Sequence, residues 1–254
     1  MIASKIYPAW QLGLLFATGI FAGFVDSIAG GGGLITLPVL LSFGGDPRHV
    51  LGANKLQATC GSASAAWHYS QAKTVPWRDC VRGFLITIIG AATGTWAVLR
   101  LDPSFLKRAI PILLIVVAVG ILLRPELGQA DAPPRVRRHW FDLIFGLGLG
   151  FYDGFFGPGV GTFWTMAFVM ALGFNLTKAT GYTKVMNLAS NLTSLAFFVA
   201  SGEIYYAAGI SMGVGQLLGA RIGSRLVIKK GTKFIRPVFI VIVLAVTARL
   251  LTAK

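Results

Sequence analysis

Four ionisable residues, Asp26, Lys55, Asp153 and Lys184, stand among apolar neighbours. A charge inside a hydrocarbon layer is costly, so such residues either pair with one another or mark a route for ions and substrates. Asp26 lies in GFVDSIAGGGG (Gly23–Gly33) and Asp153 in GFYDGFFGPGVG (Gly150–Gly161). In each motif a glycine follows the acid by four residues, and more glycines follow that one. Glycine in a helix costs about 1 kcal/mol relative to alanine, so each motif reads as a place where an apolar helix stops and restarts. The second half-helices are expected to start at Gly33-Leu34 and near Gly159–Gly161. A helix N-terminus presents unpaired backbone N–H groups and the positive end of the helix dipole, and both favour an anion. Gly31, Gly32, Gly33, Gly159, Val160 and Gly161 are therefore the candidate backbone contacts.

Lys55 and Lys184 each begin a helix with a polar stripe. The first carries Asn54, Gln57, Thr59 and Ser62; the second carries Thr183, Asn187 and Asn191. Lys55, Thr59 and Ser62 share one helical face by their spacing, as do Lys184, Asn187 and Asn191. Ammonium, amide and hydroxyl donors suit an oxyanion. The chemistry is reversible anion binding, with Asp26, Asp153 and His68 as coupling or structural groups. The plainer alternative is a pair of Asp–Lys bridges that pin each broken segment against the helix that follows it. For His68 that alternative is a satisfied, passive side chain near a helix end.

Other chemistries find no support. No GK[ST] follows the glycines, which excludes a P-loop, and the spacing is not that of a dinucleotide fingerprint. HExxH is absent, and the only paired carboxylates, Asp26 and Asp153, are explained by the repeat described below, so no enzyme is expected. Cys60 and Cys80 form no CxxC, and with His49, His68 and His139 they make no metal pattern, so neither metal nor cofactor is expected.

The elements that must hold these residues are membrane helices. Of 254 residues, 55% are hydrophobic and only 13% charged, with a mean hydropathy of +0.71. A soluble domain carries about 25% charged residues, so the solvent this chain calls for is a lipid bilayer. The net charge of +14 sits mostly between apolar runs and reads as a topology signal rather than a nucleic-acid surface.

The chain is also two copies of one pattern. Gly23, Phe24, Asp26, Gly30 and Gly32 match Gly150, Phe151, Asp153, Gly157 and Gly159 at an offset of 127 residues. At an offset of 129, Lys55 matches Lys184, Gly90 matches Gly219 and Gly94 matches Gly223. The proline-rich stretch PELGQADAPPRVRR (Pro125–Arg138) separates the copies. The expected organisation is a first membrane repeat over 1–124, a polar cytoplasmic linker over 125–139 and a second repeat over 140–254. Each repeat reads as a broken segment (10–44; 140–173) followed by three helices (about 51–71, 79–100 and 105–123; about 178–201, 204–228 and 235–252). If each broken segment returns to its starting side, the repeats are inverted and one side collects the larger share of the 23 Lys and Arg residues. The positive-inside rule favours that arrangement over parallel repeats.

The repeated G-F-x-D-x-x-x-G-x-G, the early AGGGGLITLPVLL, and the GANKLQ block with its TKVMNLASN partner resemble the sulfite exporter TauE/SafE family, over nearly the whole chain. The resemblance implies a multi-pass permease of the bacterial inner membrane moving small sulfur-containing anions such as sulfite, sulfoacetate or another organosulfonate. Tyr182-Thr183-Lys184 stands where the first repeat has Ala53-Asn54-Lys55, and Pro158 and Val160 interrupt the second glycine block. The two half-sites are therefore expected to contribute unequally.

The expected protein is an all-α integral membrane transporter with two inverted repeats and roughly eight to ten membrane-embedded segments, the broken helices being re-entrant. Its expected partners are a small anion, the bilayer and protons as candidate coupling ions, and no nucleic acid. An anion channel and a non-transporting membrane scaffold or assembly protein are the alternatives.

Overall fold

The computed structural model describes residues 6–106, 108–110, 112 and 130–231. Among these, every regular element is helical: α1 (Ala9–Ala29), α2 (Gly32–Ser42), α3 (Pro47–Gln71), a 3-10 turn (Trp77–Asp79), α4 (Val81–Arg100), α5 (Arg138–Phe155), α6 (Val160–Leu172), α7 (Leu176–Ser201) and α8 (Tyr206–Lys230). The third helix expected in each repeat falls mostly (about 105–123) or wholly (about 235–252) outside the described residues.

Both expected breaks are present, between α1 and α2 and between α5 and α6. Each is turned by glycines in the left-handed region: Gly30 (φ 77°) and Gly31 (φ 90°) in the first, Gly157 (φ 99°) and Gly159 (φ 80°) in the second. A side chain there would cost roughly 1–2 kcal/mol, which explains the composition of the motifs. Each chain then folds back on itself. Phe43, just after α2, packs edge-on against Trp10 at the start of α1, with ring centroids 6.2 Å apart. Phe168, late in α6, packs on Phe141 at the start of α5 at 4.9 Å. The long helices that follow begin alike, with Asp46 capping Arg48 N–H on α3 and Asn175 capping Lys178 N–H on α7.

Packing between the repeats is exchanged. α1 lies along α8, and α4 along α5, in each case running the same way. Ser211 donates to Leu12 O, while Gly215 faces Phe16, Gly219 faces Ile20 and Gly223 faces Phe24. Glycine sets these close approaches: a Cβ on Gly219 would stand 1.9 Å from Ile20 O, and one on Gly94 would stand 2.1 Å from Phe151 O. Small residues at such seams are how helices approach closely in lipid. The corresponding helices α3 and α7 run in opposite directions. Tyr69 near the end of α3 meets Gly181 near the start of α7, and Ser62 meets Asn191 further along.

Polarity is arranged inside out. Outward positions of α4 and α8 are large and apolar (Leu85, Ile89, Trp96; Ile210, Val214, Ile222), while Asn54, Lys55, Gln57, Thr183, Lys184 and Asn187 are buried. Taken alone, α1 and α4 are long and apolar enough to cross a membrane. α3 and α7 are long enough, but the polar residues they bury lower their mean hydropathy. Trp10, Trp67, Trp77, Trp96 and Trp140 are exposed, whereas Trp164 is core.

Candidate functional site

The two helix breaks meet at the centre of the fold. Gly30 lies against Gly161 and Thr162, Gly33 against Pro158, and Thr162 Oγ1 donates to Ala29 O at 3.2 Å. Where they meet is a small cavity of about 30 Å³. Of the residues expected at the site, Asp26, Gly31, Gly33, Asn54, Lys55, Asp153, Gly159, Val160, Gly161, Asn187 and Asn191 line it. Elements from both repeats therefore converge on one space.

The remaining expected residues stand behind that lining or away from it. Gly32 turns its N–H to Asp26 Oδ1 at 3.1 Å. Gln57 Nε2 donates to Asn54 Oδ1 at 2.9 Å. Thr59 donates to Lys55 O, and Ser62 Oγ donates to Ala58 O and lies 3.5 Å from Asn191 Nδ2. Thr183 shares a hydrogen bond with Thr165 at 3.1 Å. His68 is in the last turn of α3, its Nδ1 2.7 Å from Ser64 O, and is not part of the lining.

The four charges form two pairs, and each pair crosses between repeats. Lys55 Nζ lies 2.6 Å from Asp153 Oδ1, and Lys184 Nζ lies 2.9 Å from Asp26 Oδ2. The alternative of bridges within one repeat is thus replaced by an exchanged arrangement. Burial makes each pair dependent on its partner, because an unpaired charge here would keep its full desolvation penalty.

The two pairs are not equivalent. Lys55 also donates to the Asp153 carbonyl, and Ser190 donates to Asp153 Oδ2. Asp153 is 2% exposed. The residue of the first repeat that corresponds to Ser190 is Gly61, which has no hydroxyl to offer. Among the described residues Asp26 holds the Lys184 ammonium and the Gly32 N–H and no hydroxyl, and its side chain is 16% exposed.

Several groups at the site were not expected. Thr36 donates to Asn54 Oδ1 at 2.8 Å, and its counterpart Thr165 donates to Gly161 O at 2.9 Å. The offset of 129 that aligns the lysines also aligns these threonines and could have found them. Gln216 of α8 lines the cavity, and its Oε1, like Asn187 Oδ1, is a buried acceptor without a donor among the described residues. At one end of the bundle, His49 Nδ1 lies 2.8 Å from Glu203 Oε2 and 3.9 Å from Asp46 Oδ1, with Arg48 3.7 Å from Glu203 Oε1. This cluster ties α3 of the first repeat to the α7–α8 loop of the second. Among its members Arg48 already supplies a positive charge.

Comparison with known proteins gives a consistent result. The family model described as "Sulfite exporter TauE/SafE" matches residues 15–250. "Probable membrane transporter protein YfcA" of Escherichia coli (strain K12) is 44% identical over 240 residues, which are 94% of this chain and 89% of that protein. A "Probable membrane transporter protein" of Haemophilus influenzae is 41% identical over 239 residues, 94% of each chain. "Probable membrane transporter protein ORF9" of Sinorhizobium sp. is 40% identical over 240 residues, 94% of this chain and 92% of that one. No solved structure matches the chain.

Proposed function

The chain belongs to the sulfite exporter TauE/SafE family, and on that premise we propose that it is a secondary carrier of small sulfur-containing anions such as sulfite, sulfoacetate or another organosulfonate. The anion binds where the two helix breaks meet, near the middle of the bilayer. It is held by the starts of α2 and α6, by Lys55 and Lys184 and by the neighbouring amides and hydroxyls. The single observation that carries this reading is the cavity to which both broken segments and both long polar helices contribute.

In this reading the repeats are inverted and the protein is a multi-pass inner-membrane permease. Two observations support it. Each broken segment folds back to the end it started from, as the Trp10–Phe43 and Phe141–Phe168 contacts indicate. The corresponding helices α3 and α7 are antiparallel neighbours, so the two-fold relation between repeats lies across the helices, which is the inverted case. A cavity of about 30 Å³ is room for one water and too small for a sulfur oxyanion. In this reading the site widens to admit the anion as the repeats move against each other.

The test is counterflow in proteoliposomes. Vesicles loaded with unlabelled sulfite are expected to take up labelled sulfite saturably, and competition by sulfoacetate, thiosulfate or taurine ranks the substrates. Ionic current without exchange would replace the carrier with a channel. No flux of any of these compounds would leave a scaffold.

A further inference from the structure

We propose that Asp26 is the proton-binding residue of the carrier, and that its carboxylate occupies the oxyanion's place until a proton releases it. This rests on the reading of the cavity as the anion site.

Charge balance is the first argument. Asp26 and Asp153 offset Lys55 and Lys184, so the closed centre is neutral with both acids ionised. An anion entering that centre would leave a net negative charge in a low-dielectric interior, which is strongly unfavourable. One proton per monovalent anion removes the problem, since charge entering as A⁻ arrives with H⁺.

Geometry is the second. The donors an oxyanion needs are already in use: Lys184 Nζ is 2.9 Å from Asp26 Oδ2, and Gly32 N–H donates to Asp26 Oδ1 at 3.1 Å. The Asp26 carboxylate therefore sits as a bound oxyanion would, between an ammonium and the N-terminus of α2. Protonation turns it from an acceptor of both donors into a hydroxyl donor. Lys184 and the Gly32 N–H then become available to the incoming anion. No covalent bond is made or broken apart from the O–H bond on the carboxyl.

The third argument is a place for that O–H to go. Asn187 Oδ1 and Gln216 Oε1 belong to residues lining the same cavity, and both are buried acceptors without a donor among the described residues. An unsatisfied buried acceptor is unfavourable, and a carboxyl proton turned into the cavity would offer one of them a partner.

Asp26 is assigned rather than Asp153 because of their surroundings. Asp153 is held by Lys55 and by Ser190 and is 2% exposed; Asp26 has no hydroxyl partner among the described residues and is 16% exposed. The ionisable groups around the centre are Lys184 of α7, Lys55 and Tyr69 of α3, and Asp153 of α5. Tyr69 donates its hydroxyl to Ser27 O.

The experiment measures binding of methanesulfonate and ethanesulfonate, which stay monovalent between about pH 5 and pH 8, to the purified full chain. A ligand that favours the protonated state binds more tightly as pH falls. One linked proton gives up to a tenfold gain in affinity per pH unit over the range in which binding takes up the proton. A pH-indicating dye in weak buffer should report one proton taken up per anion bound. Asp26→Asn should bind with little pH dependence and take up no proton, while Ser190→Ala, which removes a hydroxyl partner of Asp153 and not of Asp26, should leave the pH range of the slope unchanged. Wild-type affinity that is flat with pH, or no proton uptake, overturns the proposal and leaves the anion site intact. A shift of that pH range by Ser190→Ala overturns the assignment to Asp26. Absence of binding by either anion at every pH overturns the anion site itself and this proposal with it. Should Asp26→Asn fail to fold, the wild-type slope and proton count decide.

Discussion

The Lys55 ammonium lies 2.6 Å from the Asp153 carboxylate, although the two residues belong to different repeats. Removing one partner of a buried pair costs about 3–5 kcal/mol, because the other charge is left unpaired. Lys55→Met should therefore lower unfolding stability in detergent by about that amount. Lys55→Met combined with Asp153→Leu should recover most of it. A double variant no more stable than the single one would show that the two charges do not act as a unit.

The glycine seams give a comparison within one residue type. Gly219→Ala and Gly94→Ala place a methyl group about 2 Å from a backbone oxygen of the neighbouring helix and should cost about 1–3 kcal/mol. Gly13→Ala and Gly148→Ala meet nothing within 4 Å and should be neutral or gain up to about 1 kcal/mol. Thermal unfolding of the four purified variants measures the contrast.

Folding back of the broken segments fixes which loops share a side. In a variant lacking Cys60 and Cys80, Ile6→Cys and Ser201→Cys should react with an impermeant maleimide from outside intact cells. Ala72→Cys and Lys229→Cys should react only after the membrane is opened. All four positions are exposed. In parallel repeats each broken segment crosses and Ile6 shares a side with Ala72, so labelling of Ile6→Cys and Ala72→Cys from the same side would reject the inverted arrangement.

Cys80, between the 3-10 turn and α4, should be inert. Burial, the largest influence, pushes its thiol up to about 12, and it is 1% exposed. At pH 8 only on the order of one thiol in ten thousand would be ionised. Iodoacetamide should leave Cys80 unmodified in the folded protein and modify it after denaturation, as read by mass spectrometry.

The repeat was legible in the sequence because the glycines and charges recur at fixed offsets, and these residue types are the ones membrane helices least tolerate. The break positions followed from the same signal: α2 begins at Gly32 and α6 at Val160, within a residue or so of expectation. The partner of each lysine was not legible. A repeat offset aligns Lys55 with Lys184 and Asp26 with Asp153, but it is silent on whether an acid pairs within its own copy or across to the other. Thr36 and Thr165 escaped notice because a lone threonine in a short apolar helix resembles packing. Gln216 is flanked by the glycines of α8, whose close approach to α1 is the stronger local signal.

The glycine-seamed pairs have a consequence for what can move, and for what can exist alone. α1 of the first repeat is joined to α8 of the second, and α4 to α5, at backbone-to-backbone distance. Each glycine-seamed pair is therefore a hybrid, with one helix from each repeat. Half the chain, expressed by itself, would leave the seams of α1 and α4 uncovered and one charge of each central ion pair unanswered. The protein is duplicated in sequence, yet it is indivisible as a folding unit.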